Sequence, residues 1–169
     1  ELIRELAALL DKHLFLAGPS YFAAEQKQKE QFRLSPLRPA ALAGSGYPAQ
    51  PEELTREIDG YLSLPFDSAL DSPSAMIGLV SPHIDYRRGG TAYGVTYNRL
   101  RPQNHDLYIV IGTAHQYSRG KFHLTRKDFP TPLGNLKTDH SFVDALAMRY
   151  GFDRSFADEF LHRREHSLE

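Results

Sequence analysis

Met76-Ile77-Gly78-Leu79-Val80-Ser81-Pro82-His83-Ile84-Asp85 and Leu107-Tyr108-Ile109-Val110-Ile111-Gly112-Thr113-Ala114-His115 are the two stretches that decide how this chain is read. Each opens with an almost unbroken apolar run, over 75–81 and 107–111, and then turns polar just before a histidine. An apolar run of that length without alternation is the pattern of a strand buried on both faces. Between the runs, residues 91 to about 100 read as a helix. Strand, polar loop, helix and strand again is the signature of a parallel sheet with crossover helices. The expected fold is therefore α/β, with a central, mostly parallel sheet flanked by helices.

Outward from that centre, the N-terminal side reads as helix. Leu2, Ile3, Leu6, Leu9 and Leu10 fall on one face of a helix over 1–12. Gly18-Pro19-Ser20 turns the chain, and a largely polar helix over 21–32 carries Phe22 and Phe32. Ser35-Pro36 and Arg38-Pro39 end it, because proline biases the residue before it away from helical geometry. Residues 1–36 are thus expected to be the tail of an appended helical region, too poor in apolar surface to fold alone, and 37–169 the main domain. Pro51 suits a first helical position, with Glu52 and Glu53 facing the positive end of the helix dipole. Leu54, Ile58, Tyr61 and Leu62 make that helix's buried stripe, and 65–73 reads as a loop.

On the C-terminal side, 121–126 alternates weakly as an edge strand, with 129–136 as its loop. Thr138 or Asp139 caps a last helix whose apolar face is Phe142, Val143, Leu146, Ala147 and Tyr150, and Gly151 stops it. The chain starts at Glu1 and stops just after a Glu165-His166-Ser167 run, which reads as a piece of a longer protein with an incomplete sheet. An unfinished sheet edge favours self-association, so an oligomer is expected.

Composition narrows the chemistry. A chain of 169 residues, 41% of them hydrophobic, suffices for one domain with a real core. Twenty Lys and Arg against 21 Asp and Glu leave a net charge of -1, so there is no basic field to hold a nucleic acid. The absence of cysteine removes disulfides, thiolate nucleophiles, iron–sulfur clusters and cysteine-bound zinc, and fits a reducing cytoplasm. The apolar runs are too short to cross a bilayer, and the first residues do not resemble a signal peptide. A cytoplasmic protein without a membrane partner is expected.

Eight histidines remain, and two of them follow the two apolar runs. In open α/β sheets, ligands bind beyond the carboxyl ends of the strands. If the strands are neighbours, His83 and His115 share that crevice as metal ligands. Two neutral imidazoles suit Fe, Zn, Cu or Mn, and a mononuclear site calls for a third ligand. Asp85 either orients an imidazole or a metal-bound water, or simply turns the chain. Arg87 and Arg88, ahead of Gly89-Gly90 and a helix start, are candidates for an anionic substrate, with Tyr86 beside them. Asp139 and His166 are acid–base candidates; Glu165 beside His166 is a carboxylate next to an imidazole. Ser167 lacks the Gly-x-Ser-x-Gly elbow of a hydrolase nucleophile. His13, His105, His123 and His162 read as surface or structural residues.

Several separated motifs carry a resemblance. Ala43-Gly44-Ser45-Gly46-Tyr47-Pro48, Pro82-His83-Ile84-Asp85-Tyr86-Arg87-Arg88-Gly89-Gly90, Gly112-Thr113-Ala114-His115, Phe129-Pro130-Thr131-Pro132-Leu133-Gly134 with Thr138-Asp139, and Glu165-His166-Ser167-Leu168-Glu169 stand in the order seen in Memo-like proteins. These are also called protein B of the AmmeMemoRadiSam system, and the resemblance covers roughly residues 38 to 169. It implies a relation in fold to the catalytic subunit of class III extradiol ring-cleaving dioxygenases. It implies that His83 and His115 are two ligands of a metal-type site whose third ligand lies beyond Glu169. It also implies that Asp139 and the Glu165-His166-Ser167 run line the same cleft.

By the resemblance, the expected cofactor is one mononuclear metal, Fe(II) first, with Cu or Zn as alternatives. The implied partners are AMMECR-type and radical-SAM proteins. The leading functional expectation is redox or dioxygenase-like chemistry at that metal. The alternatives are a non-catalytic cleft for a peptide or small ligand, and zinc-dependent hydrolysis.

Overall fold

The computed structural model describes residues 1–65, 76–101 and 104–169. Among them are six α-helices: α1 (Leu2–Lys12), α2 (Pro19–Leu34), α3 (Pro51–Leu62), α4 (Tyr86–Leu100), α5 (His140–Tyr150) and α6 (Phe152–Phe156). Two short strands, β1 (Phe129–Thr131) and β2 (Gly134–Leu136), pair antiparallel with Phe129 opposite Leu136 and Thr131 opposite Gly134. Tight 3₁₀ turns follow at Glu159–Arg164 and His166–Leu168. The expected loop at 65–73 and the start of the first apolar run at Ala75 lie outside the described residues, apart from Pro65.

Chain contacts divide the molecule into two compact units. The first comprises Glu1–Arg38, Gly120–Lys127 and Thr138–Arg163. Its interior contains several buried polar side chains, among them Arg38, Lys127 and His162. The Lys127 side chain is 4% exposed, donates from Nζ to the Ser35 carbonyl at 2.6 Å, and stands 4.6 Å over the Phe32 ring. It thereby closes the end of α2, where carbonyls lack helical partners. Phe32 packs edge-to-face on Phe160 at 5.7 Å. Arg38, 1% exposed, donates to the His162 carbonyl at 2.9 Å, and His162 meets the His123 carbonyl through Nε2 at 3.1 Å. Asp139, rather than Thr138, caps α5 by accepting from the Phe142 N–H at 2.9 Å. Gly151, at φ 114°, ends that helix in a conformation that a side chain would resist.

The second unit comprises Pro39–Arg119, Asp128–Lys137 and Arg164–Glu169. Here α4 lies against α3 by way of glycine. A Cβ on Gly94 would sit 2.1 Å from the Tyr61 carbonyl oxygen, and one on Gly90 equally close to the Tyr61 ring. Asn98 adds a side-chain bond to the Leu62 carbonyl. The Glu169 carboxylate gathers the chain around 41–47, accepting from the Ala41 and Leu42 N–H groups and from the Tyr47 hydroxyl at 2.6 Å.

The fold expected from the sequence needs correction. Among the described residues there is no central parallel sheet, and the α/β architecture likened to extradiol dioxygenases is not present. The described structure is mainly helical, and its sheet is the two-stranded β1–β2 hairpin. Residues 76–82 and 107–115 belong to no helix and no strand. Ile77 is 103% exposed, Val80 95% and Ile111 84%. A doubly buried strand is stabilised by cover on both faces. Here neither run has that cover, so apolar content alone does not produce a sheet. The edge strand expected at 121–126 is likewise not formed, and the segment read as its loop supplies β1 and β2. Helix α4 begins at Tyr86, five residues before the expected start, because Asp85 caps it by accepting from the Arg88 N–H at 3.1 Å.

Candidate metal centre

The two apolar runs and the last turn of the chain meet within the second unit. His83 follows the first run, His115 the second, and His166 opens the 3₁₀ turn His166–Leu168. Gly112 makes the approach possible. A Cβ there would lie 2.5 Å from Ser167 Oγ and 2.7 Å from the Leu168 side chain. Ser167 then locks the turn to the run, accepting from the Thr113 N–H at 2.8 Å and donating to the Thr113 carbonyl at 3.0 Å.

The result is a triangle of imidazoles. Nε2 of His83 and Nε2 of His115 are 3.2 Å apart. The His115 and His166 rings stack at 4.2 Å, and His83 lies 5.6 Å from His166 between ring centres. One ligand nitrogen from each of the three falls within 4.8 Å of the others, and all three residues are exposed.

Glu165 sets the orientation. Its Oε1 receives Nδ1–H of His115 at 2.8 Å, while its carboxylate also accepts the His115 N–H at 3.1 Å and the Ser167 N–H at 3.0 Å. Burial pushes this carboxyl upward, but the donors on Ser167 and His115 outweigh it and hold the group down to about 2. An ionised Glu165 fixes the His115 proton on Nδ1, so the Nε2 lone pair faces His83. A carboxylate behind a histidine is the usual support of a metal ligand.

The donor set fits a first-row metal. Two nitrogens 3.2 Å apart, each about 2.0–2.1 Å from one ion, subtend about 100–105° at it, close to tetrahedral. His166, also exposed, offers the third nitrogen. The same 3.2 Å contact also serves as a hydrogen bond from His83 to His115, so the two histidines are paired whether or not an ion lies between them.

Each of the other sequence candidates has its own local setting. Asp85 caps α4 and pairs with the Arg88 guanidinium; that hydrogen bond, more than any other contact, holds its carboxyl below the ordinary carboxylate value. Arg88 is thereby engaged with its own helix start. Arg87 is exposed in the same turn. Tyr86 packs its ring on Tyr47 and Tyr93, and burial, the largest influence, pushes its hydroxyl up to about 12. Asp139 lies in the first unit as the cap of α5. The sequence reads His166 as an acid–base residue beside Glu165; Glu165 Oε1 lies 3.6 Å from His166 Nδ1 and closer, at 2.8 Å, to His115 Nδ1. The ligand grouping was hidden because His115 and His166 are distant in sequence. The small residue Gly112, beside the His115 segment, was the available signal that another segment closes on it.

Residues 38–169 match the family model described as Memo-like protein. Among curated proteins, a MEMO1 family protein from Aquifex aeolicus is 26% identical over 100% of this chain, which covers 44% of that relative. One from Methanopyrus kandleri is 33% identical over 141 residues, 78% of this chain and 48% of the relative. One from Methanosarcina mazei is 31% identical over 135 residues, 79% of this chain and 46% of the relative. The chain spans about half the length of the curated relatives it matches. No solved structure matches. No helix among the described residues is long and apolar enough to cross a membrane.

Proposed function

We propose that this chain, which belongs to the Memo-like protein family, binds one first-row transition metal ion through His83, His115 and His166 and serves as the ligand platform of a redox centre. The observation that carries the reading is the convergence of three imidazole nitrogens within 4.8 Å, with His115 already oriented by Glu165. Three imidazoles suit Fe, Cu or Zn. Three protein ligands also leave coordination positions open, which a bound substrate or oxidant requires. When bound, the ion supplies electron transfer or Lewis acidity at those positions. The residues of the chain hold it: Glu165 keeps His115 in one tautomer, and Ser167 keeps the His166 turn against Thr113.

The test is metal content in anaerobically purified protein carrying its full natural chain. One ion per chain, lost in His83→Ala/His115→Ala and reduced in His166→Ala, supports the reading. Loss in the double variant with full retention in His166→Ala moves the third position to a residue outside this chain. Equal metal content in all three proteins overturns it. Iron or copper at the site supports redox chemistry; zinc alone redirects the reading to hydrolysis by a metal-bound water.

A further inference from the structure

Helix α4 carries tyrosines at 86, 93 and 97, spacings of seven and four that place them on one face. Their rings form a continuous row. Tyr86 and Tyr93 meet edge-to-face at 5.1 Å, and Tyr93 and Tyr97 stack at 6.4 Å with an interplanar angle of 27°. The Tyr93 hydroxyl donates to the Ile84 carbonyl at 2.8 Å, which fixes the middle ring. Gly89 makes room for this; a Cβ there would lie 2.5 Å from Ile84 Cγ2 and 3.0 Å from the Tyr93 ring. The row begins three residues after His83, at a half-buried ring, and ends at Tyr97, which is 44% exposed.

We propose that Tyr86, Tyr93 and Tyr97 form a one-electron relay between the three-histidine centre and solvent, an inference that rests on the metal reading above. The composition sharpens it. The chain has nine tyrosines but no tryptophan and no cysteine, so tyrosine is its main side chain suited to reversible one-electron oxidation. The Tyr93 hydroxyl also serves the fold through Ile84, but packing alone would be served as well by phenylalanine at 86 and 97, whereas a relay requires phenols in near contact and an outlet to water.

The oxidant is a peroxide. Hydrogen peroxide takes two electrons and two protons to give two waters. With iron at the site, one electron comes from the ferrous ion, which becomes ferric, and the other from the Tyr97 phenol. That electron passes by way of Tyr93 and Tyr86, the phenolic proton of Tyr97 goes to water, and water supplies the two protons that the peroxide oxygens take up, so one proton is consumed net. What remains is a neutral tyrosyl radical at the exposed end, open to reduction by a small thiol or by ascorbate. Tyr47, 6.2 Å from Tyr86 on its other side, is a branch that is entered through the same ring.

The experiment loads the full natural chain with Fe(II) under anaerobic conditions, measures bound iron, mixes with hydrogen peroxide and freezes for electron paramagnetic resonance. A tyrosyl signal, narrowed when ring-deuterated tyrosine is incorporated, is expected in the unaltered protein. In Tyr86→Phe the signal falls to background with iron content unchanged. In Tyr97→Phe a signal persists with altered hyperfine structure and is reduced by ascorbate more slowly. Bound iron with no tyrosyl signal, or with the same signal in Tyr86→Phe, overturns the relay and leaves the metal reading standing. Failure to bind iron, copper or zinc at all overturns both. Circular dichroism of each variant shows whether α4 remains folded.

Discussion

The two units place their histidines in opposite circumstances. In the first, His162 is 9% exposed, its Nε2 meets the His123 carbonyl, and Arg38 is bonded to its own carbonyl. In the second, His83, His115 and His166 are all exposed, and their nitrogens point at one another. A buried imidazole held by a backbone carbonyl supports the fold. Exposed imidazoles that converge, one of them oriented by a carboxylate, lose nothing in stability by holding an ion instead. The difference teaches that environment, rather than the number of histidines, marks where chemistry can occur.

The comparison can be broken most severely in the first unit. Replacing Lys127 by Ala removes a buried cation from the end of α2 and from Glu159 at 3.8 Å, and about 3 kcal/mol of stability is expected to go with it. Urea denaturation measures this, with metal binding at the second unit unchanged in the protein that remains folded. A loss below a few tenths of a kcal/mol would show that Lys127 is not a structural anchor.

Glu165→Gln works on the other side of the comparison. It keeps the shape but weakens the hold on the His115 tautomer, so metal affinity should fall by about 10–100-fold. Competition with a chelator reads this directly. Unchanged affinity would reduce Glu165 to a cap of the last turn.

A smaller effect is expected at Asp139. Its removal in Asp139→Ala takes the cap from α5 and should cost about 1 kcal/mol without touching metal content. Reduced metal content in a stably folded Asp139→Ala would make it a site residue as well as a cap.

The gentlest probe is pH. Burial lowers the His162 imidazole from its ordinary 6.5, more than the His123 carbonyl and Glu159 raise it. The unfolded chain therefore binds this proton more readily than the folded one. The contribution to stability is full above pH about 6.5 and is lost as the pH falls through the lowered folded value. His162→Gln should flatten that part of the stability profile; an unaltered profile would show that other groups carry it.

These contrasts also show what the sequence could disclose. Helices α1, α3 and α5 were legible because periodicity, Pro51, Asp139 and Gly151 all act locally. The sheet was misread because the apolar run 107–111 has the composition of a buried strand, whereas burial depends on what lies across from it. Val110, 71% exposed, shows that this cover is not present. At the candidate site, His83 and His115 stood out by their place after two matching runs. His166 did not, because its grouping depends on Gly112 admitting the last turn, a long-range contact with no local pattern. Asp85 and Arg88 drew notice as charged neighbours of His83, yet their strongest partners are each other.

The most direct measurement is elemental analysis of the anaerobically purified full natural chain beside its His83→Ala/His115→Ala variant. The account predicts one equivalent of a transition metal in the first and none in the second. Equal metal in both, or none in either under metal-replete expression, would contradict it.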